Sequence, residues 1–143
     1  MIDINKKIME AMKAHDKVAS ETYKLLKAKI LEFKTAKNAK EYNDAAEVQL
    51  IKKMIQERED SANIYIQNNR QELANAEYAQ RDVLNTLLPA LPSNDEIKSY
   101  IDNTYPNGIE KKTMGIAIKD IKNAFNGLAD GKVIADYVKT KLI

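Results

Sequence analysis

Few residues in this sequence have the chemistry of a catalytic or metal-binding centre. The chain of 143 residues contains no cysteine and a single histidine, His15, which we expect at the surface or at a helix end. Zinc sites and most nucleophilic triads need several such side chains, so the composition excludes most of them. Ser61 has no base nearby in the sequence, and no phosphate loop occurs. We therefore expect no metal, no cofactor and no complete catalytic centre.

The segment DGK, residues 130–132, precedes a predicted helix and has two interpretations. An aspartate at this position caps the free backbone amides of the helix. Alternatively, those amides and a nearby lysine receive a phosphate group. We favour capping by Asp130 within a tight turn. If the segment contacts an RNA backbone, the candidate residues are Lys119, Lys122, Lys132 and Gly131, because the three lysines are within reach of one another across the turn.

Arg58 is a charged residue on an otherwise apolar helix face. At about 100° per residue it falls within the stripe that contains Ile51 and Ile55. If the helices on either side of residues 68–70 form an antiparallel hairpin, Arg58 lies opposite Gln80, and Glu77 is one turn away from Gln80. We predict that Arg58, Glu77 and Gln80 form a structural clasp that fixes the register of the hairpin. A contact to RNA or another ligand is the alternative.

The residues that interrupt helices are confined to the later part of the chain. All four glycines and all three prolines follow residue 88, so the preceding residues are predicted to form long helices. Apolar residues recur at helical spacing, and no useful alternation with a period of two occurs, which predicts an all-α fold. Pro89 and Pro92 indicate a linker. We predict an N-terminal helical domain of about four helices, residues 1–90, and a C-terminal three-helix bundle, residues 93–143.

Polar capping signals and apolar spacing locate the individual helices. Asp44 with Glu47 predicts a capping box at the third helix, and Ser93 with Glu96 predicts another at the fifth. The apolar face of the second helix is predicted to contain Val18, Thr22, Leu25, Leu26, Ile30 and Phe33. That of the fourth is predicted to contain Leu73, Ala76, Val83, Leu84 and Leu87.

Charge is distributed unevenly although the net charge is only +2. Residues 1–40 contain ten lysines and five acidic residues, residues 41–92 have a net charge of −4, and residues 93–143 one of +1. Lysines on an outer helix face usually serve only to keep the protein solvated, and we favour this interpretation here. The alternative is that the basic N-terminal helices form an electrostatic binding surface for RNA. No stretch is long and apolar enough for a membrane span, and the start lacks the apolar region of a secretion signal. We therefore expect a cytoplasmic protein with no membrane partner.

Three segments, in order and with their spacing preserved, resemble the GatB/YqeY family over nearly the whole chain. The first is EAMKAHD at residues 10–16, followed by KLLKAKI at 24–30. The second runs from QEREDSANIY, residues 56–65, to the Leu-Pro pair at 88–89. The third is Met-Gly at 114–115 followed by GLADGK at 127–132. The sequence departs from the family pattern at Lys24, Gln80, Leu87 and Ile118.

The resemblance implies a fold shared with the C-terminal part of the B subunit of tRNA-dependent amidotransferases. Those enzymes are carbon–nitrogen ligases that use glutamine as amido donor. Their corresponding domains form a helical cradle and a tail that help to hold tRNA, while the chemistry occurs elsewhere. The resemblance therefore implies a non-catalytic module that binds tRNA or a translation-associated protein, with any amidotransferase activity dependent on a partner's active site. The alternative is a protein-interaction adaptor that binds no RNA.

Overall fold

The computed structural model describes residues 1–143 and contains α-helices but no β-strand. The helices are α1 (Ile4–Lys13), α2 (Lys17–Thr35), α3 (Asp44–Gln67), α4 (Gln71–Asn85), α5 (Asn94–Thr104), α6 (Met114–Ala124) and α7 (Gly131–Thr140). A short 3-10 turn, Lys111–Thr113, precedes α6. The predicted all-α fold is confirmed. None of the helices combines the length and the apolar character that crossing a membrane requires.

Short polar side chains begin five of the seven helices. Asp3, Asp16, Asn43, Ser93 and Asp130 each accept a hydrogen bond from a backbone N–H of the first turn, at 2.8 to 3.2 Å. These bonds satisfy amide groups that have no carbonyl partner within their helix. The predicted caps Ser93 and Asp130 are confirmed.

The predicted cap of α3 is wrong by one residue. Asn43 is the cap, and Asp44 is the first helical residue. Glu47 does not close a capping box. Its carboxylate oxygens instead accept hydrogen bonds from the backbone N–H of Ile2, at 3.2 and 3.3 Å, and one oxygen also accepts a bond from the Tyr42 hydroxyl, at 3.2 Å. Glu47 is buried. Its hydrogen bonds anchor the residues before α1 to the start of α3.

The chain forms two compact units, residues 1–88 and 89–143. In the first unit α3 and α4 form a hairpin through Asn69, whose φ of 58° is left-handed. The short connection makes the two helices antiparallel neighbours. Helix α2 packs against both, and α1 packs against α2. The central buried side chains of this unit are Leu26, Ile30, Ile51, Met54 and Leu84.

The predicted core face of α2 is displaced at its edges, although Thr22, Leu26 and Ile30 are buried as predicted. Val18 and Leu25 remain 41% and 43% exposed, whereas Ala19 and Ser20 are buried. Helix α2 packs against α1 as well as against α3 and α4, so more of its surface is covered than one apolar stripe. Small and polar residues can therefore occupy the core side of this helix, which apolar spacing alone does not indicate.

The predicted core face of α4 is displaced in the same way. Ala74 is fully buried, whereas Leu73 is 39% exposed and Ala76 is exposed. The half-buried side of the helix also includes Glu77 and Arg81. Leu84 is fully buried as predicted, and Val83 and Leu87 are half-buried, so the prediction is wrong at Leu73 and Ala76.

The second unit is a bundle of α5, α6 and α7. Each helix supplies a pair of buried residues four positions apart, as expected for one helical stripe, namely Ile97 with Ile101, Ala117 with Ile121, and Ile134 with Val138. The segment after α7 returns to Ile109, whose N–H donates to the Lys141 carbonyl at 2.9 Å. Gly108 is required beside it, because its φ is 92° and a Cβ there would overlap Ile143.

Candidate functional site

The turn between α6 and α7 brings together two of the predicted RNA-contact residues, Lys122 and Gly131. Asn126 and Gly127 have left-handed φ values of 53° and 76°, and the Gly127 N–H donates to the Lys122 carbonyl at 2.9 Å. This geometry ends α6 abruptly, with Asn126 in the left-handed position directly after the cap residue Phe125. A Cβ on Gly131 would lie 3.4 Å from Cε and 3.5 Å from Nζ of Lys122. The Lys122 side chain therefore passes beside the first residue of α7.

Three exposed lysines surround this turn, and we call them the bundle lysines: Lys119, Lys122 and Lys132. None of them has a carboxylate oxygen within 4.0 Å, whereas Lys112 and Lys141 of the same unit form ion pairs. Lys119 and Lys122 are three residues apart and therefore lie on the same side of α6. The turn thus contains three lysines without an ion-pair partner, although the Asp130 carboxylate lies in the same turn.

Asp130 limits the chemistry of this turn. Its carboxylate accepts a hydrogen bond from the Lys132 N–H at 2.8 Å, so the start of α7 is already capped by a negative group. A phosphate at those amides would have to compete with this carboxylate. The bundle lysines can therefore attract an anion through their side chains, and the helix terminus itself is occupied.

Arg58 lies in the α3–α4 hairpin, close to the two residues predicted to hold it. Its Nε donates to Oε1 of Gln80 at 2.9 Å and lies 3.8 Å from Oε2 of Glu77. The side chains of Arg58 and Glu77 are 17% and 25% exposed. The structure therefore brings all three residues of the predicted clasp into contact. The geometry can fix the relative position of the two helices, and it contains no group arranged as a nucleophile or a base.

His15 lies outside both arrangements. It follows α1 with a left-handed φ of 57° and is exposed. Its backbone N–H donates to the Met12 carbonyl at 3.1 Å, so it belongs to the turn that ends α1. Ser61 is half-buried on α3. No group of three or more His, Cys, Asp or Glu side chains is arranged to hold a metal ion.

Comparison with known proteins assigns the family. The sequence profile described as YqeY-like protein matches residues 2–142. The chain belongs to the YqeY-like family. A curated relative is Altered inheritance of mitochondria protein 41, mitochondrial, from Vanderwaltozyma polyspora, which is 24% identical over 123 residues. The alignment covers 85% of this chain and 66% of that relative, slightly less than two thirds of the relative's length.

This YqeY-like chain also contains a polar cluster that sequence reasoning missed. The Tyr137 hydroxyl on α7 lies 2.8 and 2.9 Å from the two carboxylate oxygens of Asp102 on α5, and donates to that carboxylate. The Lys141 ammonium forms an ion pair with the same carboxylate. Hydrogen bonds from Lys141 and Tyr137 lower the pKa of Asp102, and the Asp102 carboxylate raises the pKa of both partners. No sequence signal links residues 35 positions apart on non-consecutive helices.

A cavity of about 290 Å³ lies next to this cluster, between α5 and α7, and Asn94, Lys98 and Thr140 contribute to its lining. Nζ of Lys98 lies 5.7 Å from the centre of the Tyr137 ring, which places the ammonium over an aromatic face. The Tyr137 hydroxyl is already bonded to Asp102. Because Asp102 lies on α5 and Tyr137 on α7, the cluster joins these two helices.

Proposed function

We propose that this YqeY-like protein is a non-catalytic helical module that binds tRNA through the phosphate backbone. The observation that supports the proposal most directly is the group of three bundle lysines without acidic partners. The resemblance to the tRNA-holding part of the amidotransferase B subunit provides the class of partner. In this proposal residues 1–88 correspond to the cradle-like part and residues 89–143 to the tail-like part.

The aromatic side chains of the second unit support backbone recognition over base recognition. Tyr100 and Phe125 are half-buried and pack edge to face, with ring centres 5.2 Å apart. The Tyr137 hydroxyl is bonded to Asp102, and burial together with nearby Asp120 raises the pKa of Tyr105. Single-stranded nucleic acid is usually held on exposed aromatic surfaces. Lysine contacts to phosphates need no such surface, so they fit this unit better.

The proposal is tested by titrating tRNA against the full chain at several salt concentrations. Each phosphate contact releases about one counterion, so three bundle lysines should contribute a slope of roughly −2 to −3 to the log–log salt plot. Replacing all three by alanine should remove that contribution.

The matched control is the Lys98, Lys112 and Lys139 triple-alanine variant, which changes the charge of the same unit by the same amount. It should bind tRNA almost as the wild type does. Equal affinities for the wild type and the bundle variant would remove the bundle lysines as the RNA contact. Absence of tRNA binding by the wild type would overturn the proposed function.

A second candidate is a protein-interaction adaptor, possessing no RNA contact. The observation that favours it is the exposure of three apolar residues near the tip of the α3–α4 hairpin, Ile64, Ile66 and Leu73, at 57%, 42% and 39%. Exposed apolar groups of this kind are common at protein interfaces. Two results together would favour the adaptor. The wild type would fail to bind tRNA, and a translation-associated protein would bind the wild type through this tip.

A further inference from the structure

The lysines of α2 differ in whether an acidic residue neutralises them. Both glutamates of α2 are engaged, Glu21 with Lys17 at 4.0 Å and Glu32 with Lys29 at 3.5 Å. The remaining lysines of the helix, Lys24, Lys27 and Lys34, have no carboxylate oxygen within 4.0 Å. We call these three residues the α2 lysine face. The helix has no acidic residue left to neutralise them.

These three lysines lie on one side of the helix. At about 100° per residue they fall within an arc of about 80° and span about 15 Å along the helix axis. All three are exposed, and the buried residues Leu26 and Ile30 fall outside this arc. Nζ of Lys34 lies 5.0 Å from the centre of the Tyr42 ring, so an aromatic contact positions the last of the three ammonium groups.

The charge distribution around the α2 lysine face strengthens its attraction for anions. Residues 1–40 have a net charge of +5, whereas residues 41–92, which contain α3, α4 and the loops next to them, have a net charge of −4. Helix α2 packs against α3 and α4, and its three unpaired lysines are exposed. An approaching polyanion is therefore attracted to the outer side of α2 and repelled by the acidic helices.

We propose that the α2 lysine face binds the phosphate backbone of a double-stranded RNA segment. This inference rests on the proposed function and adds a second contact surface in the first unit. A length of about 15 Å covers several phosphates of one strand, whose charges repeat every few ångströms along a helical nucleic acid. Double-stranded RNA is recognised mainly through its shape, phosphates and ribose hydroxyls, which needs no base-reading side chain.

The other side chains of α2 favour a duplex over a single strand or a lipid surface. The aromatic residues of the helix, Tyr23 and Phe33, are half-buried, and the Phe33 ring packs against Tyr42 with centres 5.7 Å apart. They are not available to stack on unpaired bases. Leu31 is the one large apolar residue among the three lysines, so this side lacks the apolar stripe of a membrane-surface helix.

The test compares two full-length variants with the same change in charge. The first replaces Lys24, Lys27 and Lys34 by glutamine. The control replaces Lys17 and Lys29, whose charges are paired, and Lys53 on α3, also by glutamine. Binding to a short RNA duplex, its separate single strand and vesicles of anionic lipid is measured at several salt concentrations. The first variant should weaken duplex binding about tenfold or more and reduce the magnitude of the salt slope by about 2 to 3, and the control should change both much less.

The outcomes separate this inference from the proposed function. If the affinities for the duplex and for tRNA fall in the bundle variant but not in the α2 variant, the α2 contact alone is overturned. A response to the α2 variant alone would support it and remove the bundle lysines as the site. Tighter binding to the single strand or to the vesicles than to the duplex would overturn the choice of ligand. Equal effects of the α2 variant and its charge-matched control would show that only net charge matters, which also overturns the inference.

Discussion

Each unit of this protein contains one polar cluster that joins two helices, and the two clusters differ in burial and in sequence separation. Arg58 with Gln80 and Glu77 joins α3 to α4, which follow each other in the chain. Asp102 with Tyr137 joins α5 to α7, which are separated by α6. The Arg58 and Glu77 side chains are 17% and 25% exposed, while the Asp102 side chain is 44% exposed.

The difference shows when a polar contact can be inferred before the structure is known. A short turn fixes which residues of consecutive antiparallel helices face each other, so a charge on the apolar face has few available partners. Helices that are not consecutive have no such geometric relation. A contact between them depends on how the whole bundle packs.

The largest effect should come from removing the Arg58 side chain. Arg58→Ala leaves Glu77 half-buried without its counter-charge, and we expect it to lower the free energy of unfolding by about 2 kcal/mol. The cost should stay below that of breaking a fully buried pair because solvent screens both groups. Arg58→Met keeps most of the packing and should cost less. Chemical denaturation measures both values, and two variants as stable as the wild type would show that the clasp does not stabilise the hairpin.

A smaller effect should come from the hydrogen bond between Arg58 and Gln80. In a double-mutant cycle, Arg58→Met and Gln80→Leu should show a coupling of about 1 kcal/mol, because the bond of 2.9 Å involves a charged donor. Arg58→Met combined with Tyr137→Phe should be additive, since the two substitutions fall in separate units. Additivity of the first pair would mean that Gln80 contributes no bond energy to the clasp.

The cluster in the second unit should have a weaker effect, which depends on pH. The pKa of Asp102 is lowered in the folded protein, so its stabilising contribution is present above the unfolded value of about 4 and is lost as the pH falls through the lower folded value. The difference in stability between the wild type and Asp102→Asn should therefore be larger at neutral pH than in strong acid. Thermal unfolding at several pH values measures it. A difference that stays constant down to strong acid would show that the ionised carboxylate is not the stabilising form.

Several features of the fold followed from the sequence because they depend on neighbouring residues. Helical spacing predicted the all-α fold, and Ser93 and Asp130 predicted two helix starts that the structure contains. The same reasoning was wrong at Asp44, because Asn43 beside it is an equally good cap and only the path of the chain selects between them. The proximity of Lys122 to Gly131 was also identifiable, since it depends on one short connection.

The sequence by itself determined which segments are helical, where several of them begin and which residue faces Arg58 across the hairpin. Only the tertiary structure decided which flank of α2 and α4 is buried, where Ala19 and Ala74 pack in place of Leu25 and Leu73. It also decided that Glu47 binds Ile2 and that Asp102 binds Tyr137. The physical reason is that caps and helical spacing act within a few residues, whereas the rotation of a helix and its distant polar contacts depend on the surfaces that pack against it.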